Sequence, residues 1–414
     1  MDNITELANY CLGCVNKPCS KNGCPMHTDI PEFINKIKED NLEEAYNILS
    51  KNNICSHICS IVCPQEIQCE GNCIRGIKQT PTQIGKLEKY VNEWAKLNGK
   101  TFNYEKKELN NKKVAVIGSG PSGISAAFEL ILAGFTVDIY EKESTFGGLL
   151  TYGIPDFRLE KSLVEEIKDK LLNLGVNIYY NKELGKDFSI DDLISDYDAV
   201  YVGIGAPISS MYKLSEEETD SVYDSDTFIR AYSSNNYIKD LEKVVIIGGG
   251  NVAMDASRVA LRMGAKEAKI LYRRDRVHMP ASQSELDGAI EDGVEFKELT
   301  RVASANVENG RIISLNCVPT KIVDGKAVDD EEKEGFIEEA SQVVFAIGLK
   351  PDKNLIGDIS LELNDWGYLK VDENGRTSLS KVYAGGDVTS SDATVCKALA
   401  SGRKAARTII EDLK

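Results

Sequence analysis

Nine of the eleven cysteines fall between Cys11 and Cys73, spaced Cys11-x2-Cys14-x4-Cys19-x4-Cys24-Pro and then Cys55-x3-Cys59-x3-Cys63-Pro-x4-Cys69-x3-Cys73. Thiolates this closely spaced can wrap an iron–sulfur cube, and Cys-Pro closing a run is a feature of bacterial cluster motifs. Structural zinc is the rival chemistry. Zinc sites usually pair two Cys-x2-Cys knuckles, whereas this chain has one, at Cys11 and Cys14, and too many thiols for a single tetrahedral ion. Spacing leaves open how nine cysteines divide between two four-iron clusters, because the last cysteine of one run can ligate the other cluster. Cys55, Cys59 and Cys63 recur every four residues and share one helical face, so one or two of them read as small buried hydrophobes.

A second kind of chemistry begins at VAVIGSGPSG, where Gly118-x-Gly120-x-x-Gly123 follows an apolar run and opens a helical pattern. Glycines at this spacing let backbone approach a pyrophosphate at a helix N-terminus, and Glu141, closing the next run, is placed to take a ribose hydroxyl. VVIIGGGNVAMD repeats the pattern as Gly248-x-Gly250-x-x-Ala253. Its second run ends in Tyr272-Arg273-Arg274 with Arg276 close behind, and guanidinium groups there favour a 2′-phosphate, hence NADPH over NADH. The alternative is a solvated or partner-facing arginine patch. Near the C-terminus VYAGGD leads into a helical pattern starting near Thr394, where an acid could bind ribityl hydroxyls and the helix N-terminus could stabilise a reduced flavin. A flavin plus a nicotinamide is the simplest account of three such signals.

Other chemistries fall away. Only His27, His57 and His278 exist, none in a nucleophile motif, so hydrolysis is not expected. Neither nucleotide segment contains Cys-x-x-Cys, and Cys396 reads as a packed helix residue rather than half of a redox pair. The charge balance, 49 Lys+Arg against 65 Asp+Glu, gives −16 and disfavours nucleic acid and anionic membrane surfaces. No apolar run approaches a membrane span and the N-terminus has no signal-peptide pattern, so a cytoplasmic protein is expected.

The elements that must position these residues follow from pattern. In 414 residues with 42% apolar side chains, two or three domains can each bury a core. The first hundred residues read as short helices, for example through Phe33, Ile34, Ile37, Leu42, Ala45, Ile48 and Leu49, with no strand before residue 113. A lysine-rich stretch from Leu97 to Lys113 reads as a connector. Beyond it, KVAVIG, TVDIYEK, KVVIIGGG, AKILYRR, QVVFAIG and KVYAGGD alternate with helical patterns, which implies parallel sheets with covering helices. The expected fold is therefore α/β, with an N-terminal all-α iron–sulfur domain and two Rossmann-like nucleotide-binding domains.

CLGC…C…GCP, VCPQEIQCEGNC, PTQIGKLEKYV, GSGPSG, FGGLLTYGIPDFRL, GGGNVAMDASR, YRRDR…MPAS and AGGDV occur in one order along the whole chain. In that order they resemble the small (beta) subunit of bacterial glutamate synthase. The chain is also similar to the NAD(P)H-binding part of dihydropyrimidine dehydrogenase and to the large subunit of NADH-dependent ferredoxin:NADP oxidoreductase. The resemblance implies that Cys11, Cys14, Cys19 and Cys73 hold one [4Fe-4S] cluster. It implies that Cys24, Cys63, Cys69 and Glu88 hold the other, leaving Cys55 and Cys59 spare. For FAD it implies Pro121, Ser122, Glu141, Lys142, Gly148, Leu149, Arg158, Gly386, Asp387 and Thr394 beside the first glycine loop. For NADPH it implies Gly250, Asn251, Val252, Arg273, Arg274, Ala346 and Gly348, with Arg276 a weaker candidate. It also implies a flavin domain split around the nicotinamide domain, drawn as 1–108 for the helical [4Fe-4S] domain, 109–208 and 343–414 for the flavin domain and 209–342 for the NADPH domain.

The expected activity is NADPH oxidation at FAD, with electrons passing through two [4Fe-4S] clusters to an acceptor on another chain. That acceptor would be a larger amidotransferase-type subunit, a dihydropyrimidine-type barrel subunit, or ferredoxin. A zinc-binding docking module without enzymatic activity is the rival from another class.

Overall fold

The computed structural model describes residues 4–358, 360–391 and 394–414. Five helices, Ile4–Tyr10, Ile30–Lys38, Leu42–Asn52, Ser56–Val62 and Ile84–Leu97, make up the N-terminal part, with no strand before Lys113 among the described residues. Ile30–Lys38 turns Ile30, Phe33, Ile34 and Ile37 to one side, and Ile84–Leu97 does the same with Ile84, Leu87, Val91 and Ala95. That i, i+3, i+4, i+7 spacing is one helical stripe, and the two stripes meet with Ala45 and Leu49 in a shared core. Each such burial contributes about 1.5–3 kcal/mol. The Asn41 side chain accepts from the Glu44 amide at 3.1 Å and starts the third helix. The stretch read as a connector is pinned down: the Lys107 amide donates to the Leu132 carbonyl at 3.0 Å and the Asn110 amide to Gly134 at 2.9 Å.

The chain divides into two compact units. The first comprises Met1–Thr151, Phe157–Ala206 and Pro351–Lys414, so the N-terminal helices and a five-stranded parallel sheet belong together. That sheet runs in the spatial order Val382–Ala384, Ala199–Val202, Lys113–Ile117, Thr136–Tyr140, Asn177–Tyr179. Its central strands are continuous apolar runs because both faces are covered: Pro121–Leu132 and Val395–Asp412 pack on each other and on the sheet, and a separate cluster of Ile190, Leu193 and Ile356 packs on Ala115, Ile117, Val200 and Val202.

The second unit, Tyr152–Asp156 with Pro207–Lys350, holds another five-stranded parallel sheet. Its order is Val222–Asp224, Gln342–Phe345, Lys243–Ile247, Glu267–Leu271, Glu295–Lys297. Gln342–Phe345 pairs in register with Lys243–Ile247 at the centre of this sheet, so the expected boundary at 342/343 cuts a strand and moves to Lys350. The reason is burial: Val343, Val344 and Phe345 are apolar on both faces and need the second sheet's neighbours.

The expectation of parallel sheets alone is incomplete. Thr300–Glu308, Arg311–Val323, Lys326–Asp329 and Phe336–Glu339 form an antiparallel sheet. Two hairpins drive it, turning at Asn309-Gly310 and Asp324-Gly325, where all four residues have positive φ as such tight turns require. No helix among the described residues is long and apolar enough to cross a membrane.

Candidate functional site

The first glycine loop joins Lys113–Ile117 to Pro121–Leu132, and its three glycines have separate physical reasons. Gly118 has φ +97° and a Cβ there would meet the Gly203 carbonyl oxygen at 2.5 Å. A Cβ on Gly123 would overlap the Gly118 carbonyl, so this glycine lets helix and strand pack closely. Gly120 is different: nothing lies within 4 Å of the Cβ it lacks, and its backbone is ordinary extended. The space a side chain would fill is left open at the head of a helix, the arrangement a pyrophosphate requires. Pro121 opens that helix, and Gly148, with φ +55°, comes within contact of Gly120.

Glu141 is buried at the end of the next strand and is held against this loop. Its Oε2 accepts from the Ser119 amide at 2.8 Å and the Ser119 hydroxyl at 2.6 Å, and its Oε1 from the Glu143 amide at 2.9 Å. Lys142 beside it is exposed, while Leu149 and Arg158 are half-buried on the segments that follow. From the far end of the chain, Gly386 packs on Ser122, whose hydroxyl meets the Tyr201 hydroxyl. Asp387 follows, and burial alone pushes its carboxyl up to about 6. Thr394 caps Val395–Asp412, its hydroxyl accepting from the Lys397 amide at 3.3 Å. Glu141, Gly148 and Gly386 are thus held against one loop and the helix it opens, and the half-buried Asp387 carboxyl follows Gly386 directly.

In the second unit the loop between Lys243–Ile247 and Asn251–Arg262 repeats the design. A Cβ on Gly248 would overlap the Ala346 carbonyl oxygen, which brings the Ala346–Gly348 turn against the loop. Gly250 meets nothing closer than Pro280 at 3.8 Å, and Gly348, at φ +110°, is open around its missing Cβ. The Asn251 side chain accepts from the Ser282 amide at 2.8 Å, fixing the loop end, and Val252 is half-exposed at the helix head. The three arginines after Glu267–Leu271 separate cleanly. Arg276 ion-pairs with Glu298 at 2.6 Å and lies over the Phe296 ring at 4.3 Å. Arg273 and Arg274 have no carboxylate partner among the described residues, and Arg274 Nε is buried without a hydrogen-bond partner. Two guanidinium groups at a strand end are thus available to an anion, and Arg276 is not.

The cysteines fall into two groups. Cys11, Cys14, Cys19 and Cys73 line one cleft, walled by Ile30, Ile34, Ile74 and Ile84. Leu12, Val15, Ile74 and Ile77 stand exposed around it. Cys24, Cys63, Cys69 and Glu88 lie deeper. Burial, then the neighbouring Cys24, pushes Glu88 up to about 8, although the Ser56 hydroxyl donates to it at 2.9 Å. Burial, followed by the nearby Glu88, holds Cys69 well above the ordinary thiol value. All eleven cysteines are free thiols. Four half-buried to buried thiols in one apolar cleft, and further thiols near Glu88, fit cluster ligation.

The sequence profile of the pyridine nucleotide-disulphide oxidoreductases matches residues 112–402, and that of dihydropyrimidine dehydrogenase domain II, 4Fe-4S cluster, matches residues 1–100. The chain is 33% identical over 98% of its length to the glutamate synthase [NADPH] small chain of Escherichia coli, covering 91% of that protein. It belongs to the glutamate synthase small-chain family. It is also 32% identical over 95% of its length to the NADPH-Fe(3+) oxidoreductase subunit beta of Geobacter sulfurreducens, spanning 63% of that longer protein. The FprA structure of Mycobacterium tuberculosis, in complex with NADPH, shares the fold, with a TM-score of 0.62 over 73% of this chain and 84% of that one at 20% identity. This member of the glutamate synthase small-chain family is thus a pyridine-nucleotide-dependent flavin oxidoreductase with a 4Fe-4S domain.

Three residues of this family member escaped the reading of its sequence. Gln68, inside the cysteine array, donates to the Thr394 hydroxyl at 3.3 Å. Arg403 donates to the Met26 and Asn52 carbonyls and pairs with Glu129 at 3.0 Å. Cys396 does not stand alone as expected: its sulfur and those of Cys59 and Cys63 all lie within 4.8 Å of one another. Contacts some 330 residues apart in sequence leave no local trace, although a lone arginine in an otherwise apolar helix stripe was a usable signal for Arg403.

Proposed function

We propose that this chain oxidises NADPH at a bound FAD and delivers the electrons, through two [4Fe-4S] clusters, to a larger catalytic subunit. Bound flavin accepts a hydride and releases single electrons, which is the form iron–sulfur clusters carry. The residues named above would do the binding. Gly118, Gly120 and Gly123 admit the FAD pyrophosphate, Glu141 accepts from ribose hydroxyls, and Asp387 accepts from the ribityl chain. Gly248 and Gly250 do the same for NADPH, whose 2′-phosphate faces Arg273 and Arg274. Cys11, Cys14, Cys19 and Cys73 hold one cluster, and Cys24, Cys63 and Cys69 contribute to the other.

One observation carries the reading: the N-terminal cysteine array meets the head of Val395–Asp412, through the Gln68 side chain on Thr394 and the Cys59 and Cys63 sulfurs beside Cys396, and the same helix packs through Gly402 on Ser122 of the first glycine loop's helix. An electron path needs that adjacency, and a zinc docking module does not. The exposed apolar rim of Leu12, Val15, Ile74 and Ile77 supports electron exit at the first cluster, onto a partner chain. Eleven free thiols suit a reducing compartment, so we place the protein in the cytoplasm. Anaerobic affinity purification from the native organism tests this. Stoichiometric FAD, iron and acid-labile sulfide with a co-purifying large subunit are expected; zinc without sulfide overturns the proposal.

A further inference from the structure

Ser56–Val62 and its C-terminal flank carry Cys59 and Cys63 four residues apart, on one helical face. Their sulfurs are in hydrogen-bonding contact, and with that of Cys396 they all lie within 4.8 Å of one another. Cys63 is read above as a cluster ligand. Cys59 has no such role, yet it is 4% exposed and its sulfur is held in place by a neighbouring side chain.

That neighbour is Asn53, 3% exposed, at the C-terminal end of Leu42–Asn52. Its Oδ1 accepts from the Cys55 amide at 3.0 Å. A backbone N–H only donates, so the carbonyl end of the Asn53 side chain has to face it. The NH2 end therefore points the other way, where it donates to the Cys59 sulfur at 3.3 Å. This bond uses a lone pair of the Cys59 sulfur and leaves its S–H for the neighbour on the next turn. A cysteine bound to iron is a thiolate, and a thiolate only accepts. A second anion beside it in a group this dry would be repelled, so Cys59 keeps its proton. Cys55 is equally buried, at 1% exposed, but its sulfur lies outside the gathered group.

We infer that Cys59, oriented by Asn53, donates its S–H to the Cys63 sulfur and thereby raises the reduction potential of the cluster that Cys63 holds. This rests on the two-cluster reading above. Reduction adds negative charge, a donor at a ligating sulfur stabilises that charge, and hydrogen bonds to the sulfurs are among the factors that set such potentials. Burial strengthens the effect, because little solvent screens the bond. Cys59 is thus a positioning residue that acts through Cys63, and no covalent bond changes.

The test uses the full chain reconstituted anaerobically with FAD, iron and sulfide, comparing wild type with Cys59→Ala, Cys59→Ser and Cys55→Ala. Iron, sulfide and FAD contents and an EPR-monitored redox titration of each cluster are the readouts. Cys59→Ala should keep its iron, sulfide and FAD while one midpoint potential falls by a tenfold change in the reduction equilibrium, about 59 mV for one electron. Cys59→Ser, whose hydroxyl still donates, should recover most of that shift. Cys55→Ala should leave both potentials unchanged. Equal potentials in wild type and Cys59→Ala, or the same shift in Cys55→Ala, overturn the inference. Should Cys59→Ala lose iron or FAD, the redox-difference infrared spectrum of wild type decides: an S–H stretch that moves on cluster reduction is expected, and no responding S–H band overturns it. Wild type holding one cluster, or Cys63→Ala keeping two, would instead sink the reading of Cys63 as a ligand of a second cluster.

Discussion

Asp387 shows how a single residue can be costly until its ligand arrives. Burial raises its carboxyl from 3.8 to about 6, so at neutral pH the ionised form destabilises the flavin-free chain by about 3 kcal/mol. Because the folded value is raised, that cost is full above about pH 6, shrinks as the pH falls from there, and is gone only below the unfolded value of 3.8. Asp387→Asn should therefore raise the melting temperature of the flavin-free protein at about pH 8, with the gain shrinking below about pH 6. If a ribityl hydroxyl donates to the carboxylate, FAD affinity measured by titration calorimetry should fall as pH drops through about 6, and Asp387→Asn should flatten that profile. At the second loop the decisive residue is Arg273. Arg273→Glu should cut the preference for NADPH over NADH in kcat/KM by roughly 10- to 100-fold, the worth of one charged hydrogen bond or two. Arg276→Ala should leave the preference unchanged and instead destabilise, since Arg276 is spent on Glu298 and Phe296.

At the scale of an element, the glycine loop separates binding from folding. Gly120→Ala puts a methyl into space that nothing in the protein occupies, in a backbone conformation any residue adopts. It should fold with a melting temperature near wild type yet bind FAD at least roughly tenfold more weakly, because the methyl meets the pyrophosphate. Gly123→Ala puts the same methyl against the Gly118 carbonyl, inside the strand–helix contact. It should lower stability by several kcal/mol, since backbone on both sides has nowhere to go. Flavin absorbance and thermal melts of the two variants together check the distinction. Two glycines three residues apart are indistinguishable as letters, and only the neighbours of the missing Cβ tell them apart.

For the first unit as a whole, Arg403 is the fastening between the iron–sulfur helices and the flavin sheet. It is 9% exposed, bonds two carbonyls of the N-terminal part and pairs with Glu129 of the flavin helix Pro121–Leu132. Removing it takes a donor from the Asn52 carbonyl and from the half-buried Glu129 carboxylate, while the Met26 carbonyl keeps the Asn52 side-chain amide at 2.8 Å, which costs about 2 kcal/mol. Arg407 pairs with the same Glu129 at 3.1 Å but is largely exposed. Calorimetric melts should show a marked loss for Arg403→Met and less than about 1 kcal/mol for Arg407→Met.

Much of this molecule was legible in its residues. Continuous apolar runs ending in Gly-x-Gly-x-x-Gly or Gly-x-Gly-x-x-Ala announce parallel strands, helix heads and anion cradles, because period, length and glycine spacing are local properties. Helical stripes such as Phe33, Ile34 and Ile37 were equally plain. The Asn309-Gly310 and Asp324-Gly325 turn signals are local as well, but the expectation of parallel sheets alone passed over them. What only the folded chain decided are the meetings of distant segments: Gln342–Phe345 choosing the second sheet, Arg276 spent on Glu298, and Cys396 arriving beside Cys59 and Cys63. Each is settled by burial and by which partners share a buried space, and those are properties of three-dimensional packing that no sequence spacing encodes.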